Sequence, residues 1–122
     1  MEQKVLEIVN NELLAVGIRY EYGEFEGNDI ALPYMVGAYS EDDFVFENNS
    51  TEGGFVLAVF GASEFELVTL TQKVKDVFTD FRYPFDGGMV YIEYTRKLPL
   101  QSGTKGITKN EIHLDVRYWK GL

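Results

Sequence analysis

Ser63 is followed three residues later by Glu66, and from there Leu67, Leu70, Val74, Val77 and Phe81 recur at spacings of three and four. This segment constrains the fold more than any other. In a capping box the serine hydroxyl and the glutamate carboxylate each satisfy a backbone N–H that the first helical turn leaves without a partner. The recurring apolar residues then fall on one stripe of an α-helix, widened by Phe78, while Lys73, Lys75 and Asp76 fall elsewhere. Pro84 is expected to end the run. A helix with one apolar stripe needs an apolar surface to lie on, so the rest of the chain should supply a sheet.

The flanking segments fit that demand. Val5, Ile8, Val9, Leu13 and Val16 mark a first amphipathic helix, and Gly17 follows where a helix stops. Ile18 to Tyr22 alternates apolar and polar residues, the period of a half-buried strand, and Glu26 to Asp29 supplies a turn. Ile30 to Tyr39 reads as a second extended segment. Pro33 within it cannot donate a ladder hydrogen bond, which implies an edge strand or an irregular start. Asp43 to Glu47 reads as a short strand, and Asn48 to Gly54 as a polar loop. Phe55 to Phe60 is apolar on both faces and so belongs at the centre of the sheet. Asp86-Gly87-Gly88 turns into a strand from Met89 to Lys97. Leu98 to Asn110, with Pro99, Gly103 and Gly106, reads as the longest loop, and Glu111 to Tyr118 as the most regular strand. The expected fold is a single α+β domain over residues 1–122, with two main helices packed on a mainly antiparallel sheet.

Composition excludes several classes of function. The chain has 122 residues, a length at which one domain forms its own core. It contains no cysteine, so disulfides, thiolate metal sites and cysteine nucleophiles are absent. Its formal charge is −9, which disfavours direct binding to a phosphate backbone. The start of the chain lacks the apolar core of a signal peptide, and no apolar run approaches the ~20 residues that span a bilayer. The expectation is a soluble protein with no membrane partner.

Catalysis needs a positioned base, nucleophile or metal. His113 is the single histidine and falls on the polar face of the last strand, so one chain cannot build a two-histidine metal site. Ser63 is committed to capping and lacks the flanking glycines of a nucleophile elbow. Glu41-Asp42-Asp43 lacks the alternating ligands of a calcium loop and reads as a solvated turn. Gly53-Gly54 and Gly87-Gly88 lead into strands, whereas a phosphate-cradling loop leads into a helix. The expectation is therefore no enzyme, no cofactor and no metal.

Four stretches carry a resemblance to a family. These are Pro33 to Glu41, the loop 48–54 leading into Phe55-Val56-Leu57, the helix from Ser63, and the ending with Leu98-Pro99 and Ile112 to Trp119. Together they resemble the tail-terminator or tail-completion proteins of long-tailed bacteriophages and prophages, a group that includes minor tail and head–tail joining proteins. The resemblance implies an α/β sandwich whose subunits form a ring, commonly a hexamer, that caps the tail tube and offers a docking surface to the head. It also implies a tail tube protein and a head-completion protein as partners, and a place in the virion tail after assembly in the host cytoplasm. Candidate assembly residues are Pro33, Tyr34, Glu41, Asp42, Asp43, Lys105 and Lys109. Lys105 and Lys109 stand out as cations on an acidic chain. Two rival readings are a monomeric or dimeric ferredoxin-like binding or regulatory module, and a small enzyme using carboxylates and tyrosines between subunits.

Overall fold

A computed structural model describes residues 2–23, 31–42, 50–85, 87–101, 103 and 105–120. The elements in chain order are α1 (Glu2–Ala15), β1 (Tyr20–Tyr22), β2 (Tyr34–Glu41), β3 (Ser50–Gly61), α2 (Glu64–Val77), β4 (Phe81–Phe85), β5 (Gly88–Leu100) and β6 (Thr108–Lys120). The expected turn at 26–29 and strand at 43–47 lie outside the described residues.

The helix from Ser63 forms for the reason its sequence suggests. Ser63 is the N-cap, in extended backbone, and its hydroxyl accepts from the Glu66 N–H at 3.3 Å. The Glu66 carboxylate reaches back one residue further than the usual box and accepts from the Ala62 N–H at 2.9 Å. Glu64 and Glu66 in the first turn and Lys75 in the last complement the helix dipole. Ser63→Ala should cost about 1 kcal/mol, read as a lower urea midpoint, and Ser63→Asp should restore most of it.

The helix stops earlier than expected. Val77 is its last residue, Phe78 caps it, and Asp80 takes a left-handed φ of 52° that turns the chain. Phe81 therefore begins β4, and Pro84 lies within that strand. The proline is tolerated because β4 is the outermost strand of the sheet, and among the described residues no strand pairs with the other side of its backbone.

The expectation of two main helices packed on a mainly antiparallel sheet is overturned. The protein is mostly sheet, 52% strand, and its six strands curl into a half-barrel. The sheet is mixed: in the order β1-β2-β3-β6-β5-β4, β1 runs parallel to β2 and the remaining pairs are antiparallel. The physical reason lies in pairing beyond the local pattern. Ser50 to Gly54 carries loop-like residues, yet pairs with Trp119 to Asp115 and extends β3 to twelve residues. Leu98 to Leu100 likewise pair with Glu111 to Lys109 and lengthen β5 and β6. The connection between them shrinks to 101–107. β1 sits beside β2 in parallel because its neighbour is set across the connection 23–33, which periodicity does not reveal.

Alternation along the strands sorts the two faces. Phe55, Leu57 and Val59 of β3, Ile112, Leu114 and Val116 of β6, and Val90 and Ile92 of β5 are buried in one core. The helices contribute Val5, Ile8, Val9 and Leu13, and Leu67, Leu70, Val74 and Phe78, to the same core. Val16 packs against it as a partly buried residue. The opposite face of the sheet carries the even-numbered residues of β3 and the odd-numbered residues of β6, and the candidate surfaces lie there.

Candidate functional site

Cross-strand register builds the outward face row by row. At one end Tyr34, Phe60, Lys109 and Leu100 align, followed by Val36, Ala58, Glu111 and Leu98. At the other end Glu52, Arg117, Tyr91 and Arg82 form one row, next to the pair Asp115 and Glu93. Trp119 and Met89 form the row beyond.

The second end encloses a groove of ≈ 610 Å³. It is lined by Met89, Tyr91 and Trp119 and by the charged Glu52, Arg82, Glu93, Asp115 and Arg117. Arg117 is ion-paired with Glu52 across β6 and β3. Arg82 bonds Asp80 at 3.2 Å and lies 5.8 Å from the centre of the Tyr91 ring. The Tyr91 hydroxyl donates to Glu93 at 3.3 Å, and the Asp80 N–H donates to the same carboxylate. The Tyr91 hydroxyl titrates above the usual phenol range, first through desolvation and then through the charges of Glu93 and Asp80. Among the described residues neither Glu93 nor Asp115 is in an ion pair, although their backbones are direct partners.

The first end is aromatic and basic. Tyr34 and Phe60 stack with ring centres 4.7 Å apart, and the Lys109 ammonium sits 5.3 Å from the Phe60 centre. Leu98 and Leu100 are exposed on β5, and Lys105 is exposed on the connection beyond. β4 pairs with β5 only from Gly88 to Ile92. Past that point the Tyr94 N–H donates to the Phe78 carbonyl, and among the described residues no strand covers Thr95 to Leu100 on that side.

The sequence-derived candidates divide between these ends. Tyr34 and Lys109 are brought together, with Phe60 between them. Pro33 follows a cis peptide bond and precedes β2, so the irregular-start alternative describes it and the edge alternative does not, since β2 lies between β1 and β3. Lys105 is exposed on the connection between β5 and β6. Asp43 lies outside the described residues, and Asp42 bonds through its backbone N–H to the Glu52 carbonyl at 2.8 Å. Glu41 is not a solvated turn residue: its carboxylate accepts from Tyr39 at 3.0 Å and from Tyr118 at 3.2 Å. His113 is half-buried with its Nε2 at 2.7 Å from Glu111. Sequence reasoning missed the groove. Alternation does place Asp115, Arg117 and Trp119 on one face, but which strands stand beside them is set by register.

The tyrosines beneath this face give a pH dependence. Burial, then the Glu41 hydrogen bond and charge, raise the Tyr39 hydroxyl well above the phenol range, and burial raises Tyr20 likewise. Above the ordinary value of about 10 the unfolded chain releases these protons while the folded chain keeps them. Stability should therefore be unaffected below pH ~10 and fall as pH rises above it. Urea midpoints measured from pH 8 to 11 check this. Tyr39→Phe should flatten the fall, and an unchanged midpoint would contradict the reading.

No family model matches the chain, and no curated protein matches it.

Proposed function

We propose that this chain is a structural assembly subunit, a tail-terminator or tail-completion protein that forms a ring at the end of a phage tail tube and meets a tail tube protein and a head-completion protein. The observation that carries the assembly reading is the edge of β5 from Thr95 to Leu100, which no strand covers among the described residues, with Leu98 and Leu100 exposed beside it. An uncovered strand edge offers backbone donors and acceptors to another chain. Pro99 lies on this edge and removes one donor, which limits indiscriminate pairing. The tail-end assignment within that class is supported by the four resembling stretches alone.

Light scattering and negative-stain imaging test it together. The expected result is a closed ring of fixed subunit number. A stable two-fold dimer, or a monomer at millimolar concentration, overturns the ring. Leu98→Lys with Leu100→Lys should change folding stability by no more than about 0.5 kcal/mol per site, because both are surface positions. The same pair should lower the assembled mass; assembly at unchanged mass would remove the open edge from the interface.

A further inference from the structure

The two ends of the outward face lie on the same pair of strands. Eleven residue steps separate Met89 from Leu100 along β5, roughly 35 Å at about 3.3 Å per step. One end is basic. From Tyr94 to Asn110 the sequence has Arg96, Lys97, Lys105 and Lys109 and no acidic residue. That segment is +4 in a chain of −9, so the remaining residues carry −13 (−9 minus +4). Arg96 and Lys105 are exposed, and Leu98 and Leu100 beside them are exposed apolar groups.

The other end is the groove, lined in part by Met89, Tyr91 and Trp119. Glu93 and Asp115 stand directly opposite each other on β5 and β6. Like charges at directly opposed positions repel, so a cation placed between them would relieve a cost within the subunit. Arg117 and Arg82 do not supply it, because Glu52 and Asp80 hold them.

We infer that the basic end of one copy docks on the groove of the next copy. Leu98 and Leu100 cover Met89, Tyr91 and Trp119, and Lys105 meets Glu93 and Asp115. The contact joins two different surfaces of the same chain, so it is heterologous. Repeated, it generates a ring where the rotation closes and a filament where it does not. The inference deepens the assembly reading and depends on the ring proposal only for closure.

The chain has no cysteine, which permits a direct test. Lys105→Cys and Asp115→Cys proteins are mixed in equal amounts under mild oxidation. The mixed disulfide should form about tenfold faster than either homodimer, since a docked pair raises the effective concentration of the two thiols. Lys105→Glu and Asp115→Lys should each lower assembly, with like charges now facing, and the two combined in one chain should restore it. Rings that persist without a preferred mixed disulfide overturn this contact and leave the ring reading standing. A preferred mixed disulfide without closed rings supports the contact and overturns the ring. Neither rings nor a mixed disulfide overturns both.

Discussion

Phe55→Ala should lower the unfolding free energy by about 3–5 kcal/mol, measured by urea denaturation. Phe55 is fully buried on β3, with Tyr39 stacked at 5.6 Å and Tyr22 edge-on at 6.1 Å between ring centres. Its strand pairs with β2 on one side and β6 on the other, so the backbone is held from both sides and collapses little around the cavity. A domain is stable by only about 5–15 kcal/mol, so the variant stands close to unfolding. Phe55→Leu should recover most of the loss by refilling the volume. Equal losses for the two variants would show that the site tolerates a cavity and that Phe55 is no keystone of the sheet.

Gly53→Ala should cost about 1–3 kcal/mol or more, although it adds a single carbon. A β-carbon at Gly53 would lie 2.6 Å from the Ser40 carbonyl oxygen and 2.7 Å from the Tyr39 hydroxyl oxygen. The first obstacle is backbone of the paired strand β2, which moves only by breaking register. Displacing the Tyr39 hydroxyl would also pull it from Glu41. Gly54→Ala is the control, because nothing lies within 4 Å of a β-carbon there. Thermal melts of the two variants should separate clearly, and matching melts would refute the steric account.

The contrast between these glycines shows what the sequence could and could not reveal. Both stand in a stretch that reads as a polar loop, and both are strand. Gly53 is glycine because another strand presses on it, and that strand is remote in sequence. The start of α2 was legible because Ser63, Glu66 and the stripe are local features. Its end was not, because Phe81 keeps helical spacing by coincidence and Pro84 is harmful only where a neighbouring strand needs its N–H. Pro99, Gly103 and Gly106 similarly made 98–110 read as a loop, although its two ends are bonded to each other as strand. Of the site, Tyr34 and Lys109 were legible as candidates, whereas Phe60 between them and the groove at the far end exist only once six strands are in register. Local chemistry showed which residues face outward, and long-range pairing decided which of them meet.

β6 follows the other five described strands in sequence and lies in the middle of the sheet, between β3 and β5. Its pairs with β3 run from Gly61 with Thr108 to Ser50 with Trp119, so α2, β4 and β5 are all made before the strand that joins the halves. Contacts of such sequence separation close late and slow folding. A growing chain holds the apolar side chains of β3 without their partner until β6 is free of the ribosome. A chain cut short within β6 therefore has no finished surface to offer another copy.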